Sequence, residues 1–241
     1  MSNARDLGNA GRGINIDDKA NTCLGFESLT SNTTGFENTA VGQATLSLNT
    51  TGYSNTAVGV GALYCNKTGN LNTAVGTASL EDNTFGSQNT AIGHGSLTSN
   101  TIGEFNTAVG HRALAFNTTG SYNTAIGTNA LLCNISGCSN VAVGDASGVN
   151  NTTGSNNTFI GANSGGGNTT GSENSVLGCQ AGGGNFNTCV VLGMAATATG
   201  NNQFVVGAAT RNAGTVVAGV NASSQYWNVI INGVAQKILL A

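Results

Sequence analysis

His94 and His111 are the two histidines of this 241-residue sequence, and they stand 17 residues apart with Arg112 beside the second. Imidazoles that recur at a structural period can stack, and a stacked pair could hold a metal ion or an anion. Two exposed turn residues are the plainer expectation, so the pair stands as a weak metal candidate and no metal is assigned. Cys23, Cys65, Cys133, Cys138, Cys179 and Cys189 show no Cys-x-x-Cys spacing and no alternation with histidine. Neither a zinc site nor a disulfide framework is expected of them. Asp17, Asp18 and Glu27 form the densest acidic group but lack the regular Asp/Asn/Gly spacing of a calcium loop. No Ser/His/Asp set, carboxylate pair or phosphate loop can be assembled, so the sequence predicts no catalytic residue, no cofactor and no enzyme. The runs Gly165-Gly166-Gly167 and Gly182-Gly183-Gly184 read as narrower parts of a repeat rather than nucleotide loops. Two aromatic pairs, Phe36 with Tyr53 and Phe105 with Tyr122, also stand 17 residues apart. They are candidates for contact with a surface glycan, or for packing between chains.

The spacing common to these pairs is the period of the whole chain. Asn-Thr-Ala-Val/Ile-Gly begins at Asn38, Asn55, Asn72, Asn89, Asn106 and Asn123, and degenerate copies extend the register to Asn21 and to Asn140, Asn157 and Asn174. The full unit is N-T-A-V-G-x-x-A-L-x-x-N-T-T-G-x-x, with asparagine recurring at the twelfth place from Asn32 to Asn185. A unit this short cannot hold two packed helices, and Gly, Asn, Thr and β-branched residues oppose helix. It fits one coil of a parallel β-solenoid, with Asn-Thr-Thr-Gly as a turn. Like residues then stack at about 4.8 Å, and stacked Asn and Thr can hydrogen-bond along the ladder. After residue 186 the units become 187–200 and 201–214, and from 215 the periodicity stops.

Composition agrees with such a stack. Charged residues are 7% of the chain, glycine numbers 37, proline is absent and the formal net charge is −3. Disordered chains combine high net charge with depleted aliphatics; here Val, Ile, Leu and Ala recur at fixed intervals. The 7 Lys and Arg are scattered, which predicts no nucleic-acid partner. No apolar run approaches about 20 residues, so no membrane insertion is expected, and the first twenty residues do not read as a secretory signal.

Side chains alternate along a strand, so the second and fourth places face one way and the third the other. The fourth place (Val41, Val58, Val75, Ile92 and their equivalents) is expected to fill the coil interior. The third place, Ala40, Ala57, Ala74, Ala91, Ala108, Ala125 and Ala142, is then expected to face neighbouring chains at a three-fold axis. An apolar column on both faces argues for a strand covered on both sides.

The units at 187–214 resemble the head repeats of trimeric autotransporter adhesins, and the 17-residue units resemble repeats in tail-fibre and spike proteins of phages and large DNA viruses. The ending Tyr226-Trp227-Asn228-Val229-Ile230-Ile231 through Ala241 is similar to ends of phage structural proteins. The resemblance implies a left-handed parallel β-roll assembled as a homotrimer. Its implied role is a non-enzymatic virion fibre, whisker or spike that contacts the host surface, assembled in the host cytoplasm with other virion proteins or end-to-end copies of itself. A cell-surface adhesin or extracellular filament subunit is the alternative, and an ice-binding solenoid, suggested by the regular threonine column at the second place, ranks third. The fold class expected is therefore all-β, a parallel β-solenoid with a β-rich C-terminal cap. Its segments are an end or adaptor at 1–20, the 17-residue repeats at 21–186, the head-like repeats at 187–214 and the cap at 215–241. Tyr226, Trp227, Ile230, Ile231, Leu239 and Leu240 are the cap's large apolar residues, and Asn232-Gly233 is a hairpin signal between them.

Overall fold

The structure, a computed structural model of the chain, describes residues 15–16, 18–207, 226–231 and 234–239. It is a parallel β-solenoid with one three-residue strand per coil. Strand β1 (Asn15–Ile16) opens the sheet. It is followed by β2 (Thr22–Leu24), β3 (Thr39–Val41), β4 (Thr56–Val58), β5 (Thr73–Val75), β6 (Thr90–Ile92), β7 (Thr107–Val109), β8 (Thr124–Ile126), β9 (Val141–Val143), β10 (Thr158–Ile160), β11 (Ser175–Leu177), β12 (Val190–Leu192) and β13 (Phe204–Val206). From β2 to β13 each strand pairs in parallel with its sequence neighbour, like residue on like residue: Thr56 opposes Thr73 and Ala57 opposes Ala74. β1 runs antiparallel to β2 and covers the first edge of the sheet. The eleven steps from β2 to β13, at about 4.8 Å each, make a rod of about 53 Å.

Two asparagine ladders run through the coil. The first-place Asn55 donates its Nδ2 to Asn38 Oδ1 at 3.0 Å and to Gly69 O at 2.9 Å. The twelfth-place Asn66 donates to Asn49 Oδ1 at 2.8 Å and to the same Gly69 O at 3.0 Å. Each coil thus ties its two buried asparagines to one glycine carbonyl and to the coil before, which is how a polar chain closes a solvent-free interior. A Cβ built on the equivalent Gly52 would stand 2.4 Å from Asn49 Oδ1 and 2.5 Å from Gly69 O, so only glycine fits there. Where the strand ends, Gly42 has φ of +134° and approaches Gly59, again closing the position to other residues.

Between the ladders, the third-place alanines and the ninth-place leucines fill the coil; Ala40, Ala74, Leu46 and Leu80 are all 0% exposed. Alternation puts the second and fourth places outward. This corrects the expected orientation. Ala40, Ala57, Ala74, Ala91, Ala108, Ala125 and Ala142 are already covered inside the single chain and cannot be the surface that meets another copy. The physical reason is volume: leucine and two asparagines already occupy the coil, so the facing strand has room only for a methyl group.

Of the two glycine runs, 165–167 lies in a coil of the full 17-residue period and 182–184 in the coil that shortens to 15. Where Gly148 and Gly165 replace leucine at the ninth place, Phe159 replaces alanine at the third and is 1% exposed. Cβ atoms built on Gly165 and Gly148 would stand 2.2 Å and 2.6 Å from the Phe159 ring. One large side chain from the strand wall fills the space that leucines fill from the opposite wall.

The shortening of the period also falls differently from the sequence units. β12 pairs Val190 with Ser175, a step of 15 residues, and β13 pairs Phe204 with Val190, a step of 14. Asn185 is consequently displaced outward and accepts from Thr169 N and Oγ1 and from Thr170 N. The twelfth-place ladder therefore stops one coil early, leaving Asn168 Oδ1 buried without a donor.

Residues divide into two compact units, Met1–Ala208 and Ala209–Ala241. Within the second, β14 (Tyr226–Ile231) pairs antiparallel with β15 (Val234–Leu239), with Ile231 opposite Val234. This is the hairpin expected across Asn232-Gly233. Tyr226, Trp227, Ile230, Ile231 and Leu239 lie on its strands, whereas Leu240 lies outside the described residues.

Candidate functional surface

Solvent meets the sheet along its second and fourth places. Thr56 and Val58 in β4 and their equivalents in each coil alternate along this face, with Ile92 41% and Leu177 50% exposed. From β2 to β13 no second- or fourth-place residue is charged. The flanking corners add apolar groups: Val60 and Met194 on the side after the strand-ending glycine, Leu71, Phe105 and Tyr122 on the side before the strand, all exposed. Solenoid geometry makes this face flat and continuous, because each strand repeats the one before at the pairing distance.

Both aromatic pairs form the stacks the period implies. The Phe36 and Tyr53 rings are 4.8 Å apart and 2° from parallel, and those of Phe105 and Tyr122 are 4.8 Å apart and 4° from parallel. Both separations match the strand spacing, so each ring is carried by its own coil. Phe36, Phe105 and Tyr122 remain exposed in these stacks, whereas Tyr53 is half-buried. His94 and His111 stack in the same way, 5.4 Å apart and 12° from parallel, and are exposed. Arg112 turns away from them onto Phe116, its guanidinium 5.6 Å from the ring centre.

Among the described residues, no three His, Cys, Asp or Glu side chains converge on a point that could hold a metal ion. Asp18 and Glu27 are exposed, while Asp17 lies outside the described residues. Burial pushes the Cys65 thiol above its ordinary value; Asp82 and Glu81 add to the shift and Lys67 opposes it. A thiol held protonated is a poor nucleophile. The residues sequence reasoning missed are the outward Val and Ile of the fourth place. The signal that identifies them is the joint change at Phe159, Gly148 and Gly165, which shows that the third and ninth places face each other across the coil. No helix among the described residues is long and apolar enough to cross a membrane. No protein-family model, curated protein or solved structure matches the chain.

Proposed function

We propose that this chain is a non-enzymatic structural fibre of a virion, a tail fibre, whisker or spike built from three copies. The carrying observation is the outward Thr-x-Val/Ile face, uncharged and continuous from β2 to β13. The strand face alone, about 53 Å long and about 10 Å wide, offers on the order of 500 Å², and the exposed Val60, Leu71, Phe105 and Tyr122 at its corners extend it. Stable interfaces cover about 800 Å² per partner. The natural occupant is another copy, because ridges repeating at the strand spacing interdigitate best with a surface of the same spacing. Closure by three and the virion setting rest on the resemblance of the repeats to viral fibre and autotransporter head repeats. The contact between copies lies on the Thr-Val face rather than on the alanine column. Electron cryo-microscopy of the full chain tests this reading: the expected image is a three-fold rod with the Thr-Val faces at the axis, and isolated single solenoids would overturn it.

One observation favours a second reading, ice binding. The second-place threonines project outward in a column at strand spacing rather than lying buried. A thermal-hysteresis measurement decides between the readings, since a fibre whose Thr-Val face is covered by its copies gives none.

A further inference from the structure

We propose that His94 and His111 form a two-imidazole clamp for one divalent transition-metal ion of the copper, nickel or zinc class. The pair holds the chain's entire histidine content, placed at one corner of consecutive coils. Their backbones are fixed by the solenoid ladder: Arg112 N donates to His94 O at 3.0 Å and Asn129 N to His111 O at 2.9 Å. The two side chains therefore leave a rigid wall one coil apart, and being exposed they can rotate freely toward a shared ligand. A metal about 2.0–2.1 Å from one nitrogen of each ring, with an angle of about 90–110° at the metal, places the ring centres about 5 Å apart. The rings stand 5.4 Å apart and 12° from parallel, so chelation keeps their centres near that distance but needs the two ring planes to splay by about 90°. Among the described residues no further His, Cys, Asp or Glu completes a set of three, which leaves the remaining coordination positions to water. Nitrogen-only ligation favours copper(II) over nickel(II) and zinc(II). Arg112, the cation next in sequence, rests its guanidinium over the Phe116 ring, 5.6 Å from its centre.

The test uses full-length protein without a histidine tag, titrated calorimetrically with copper(II) and with zinc(II) at neutral pH. The clamp predicts one ion per chain and tighter binding of copper. Chelation makes the second bond intramolecular, so His94→Ala and His111→Ala should each lose more than about tenfold in affinity. A loss of only about twofold, the signature of two independent imidazoles, would overturn the clamp, as would one ion shared by two or three chains. Imidazoles bind metal only when neutral, so binding should vanish on acidification. Arg112→Ala should keep or raise the affinity; a comparable loss there, or tighter binding of inorganic phosphate than of metal, would assign the pair to an anion instead. Both histidines are exposed in the single chain, so the variants should match the parent's circular dichroism.

Discussion

Phe159 and Gly165 offer the sharpest test of how the coil is packed. Phe159→Ala removes a ring that is 1% exposed and leaves Gly148 and Gly165 facing an empty space. Truncations of this kind cost about 3–5 kcal/mol. Gly165→Leu alone is also severe, because its Cβ would lie 2.2 Å from Phe159 Cδ1 and 2.4 Å from Cε1, atoms boxed in by the next coil. The combination Phe159→Ala/Gly165→Leu restores alanine opposite leucine on the Gly165 side and leaves only the space beside Gly148 unfilled. Leucine at the ninth place already adopts the required conformation there, with φ of +50° at Leu131 against +64° at Gly165. The double variant should therefore lie within about 1–2 kcal/mol of the parent, a coupling of at least about 3 kcal/mol, the upper end for residues in contact. Urea unfolding at fixed protein concentration, followed by far-ultraviolet circular dichroism, measures all four corners of the cycle. Additive losses would mean that the third and ninth places do not share one space, and the orientation argued here would fail.

Three further outcomes follow from the same geometry. Ala91→Glu should unfold the coil, whereas Ile92→Lys, one residue along, should preserve the β circular dichroism and weaken association; equal effects would contradict the inward and outward assignments. Asn89→Asp should cost about 3–5 kcal/mol at neutral pH, because Asn89 Nδ2 donates to Asn72 Oδ1 and Gly103 O, and a carboxylate there faces two acceptors in a dry interior. That carboxyl would titrate higher folded than unfolded, so the deficit should be fully present at high pH and shrink as pH falls; a pH-independent deficit would refute the buried ladder. Cys65 should react with iodoacetamide more slowly than a cysteine in a short peptide at mildly alkaline pH, and equal rates would argue against its raised thiol value.

Much of the architecture was legible because the period is strict. Ten unit starts without a slip placed the strands from β2 to β11, and the stacking of Phe36 on Tyr53, Phe105 on Tyr122 and His94 on His111 followed from equal spacing alone. Facing was not fixed by that period, since alternation says only that two sets of residues point opposite ways. Reading the larger Val and Ile as interior ignored the leucine and paired asparagines already committed to the coil. Phe159 with its two compensating glycines carried the missing information, as a size exchange between the third and ninth places. The coils after 174 misled for another reason: Asn187-Thr188 looks like a unit start, but Cys189 occupies the first place, its N–H bonded to Asn174 Oδ1 at 3.0 Å. Gly178 meets Gly193 as Gly161 meets Gly178, so the strand-ending glycine keeps its place in the register there while the asparagine does not.

The central claim is that the outward Thr-Val face joins copies of this chain. Sedimentation equilibrium of the full chain, compared with Val75→Lys/Ile92→Lys, tests it most directly. The parent should weigh three times the 23.9 kDa of one chain, and the double variant should fall to a single chain with its β circular dichroism intact. A parent that sediments as a single chain, or a double variant that remains trimeric, would contradict it.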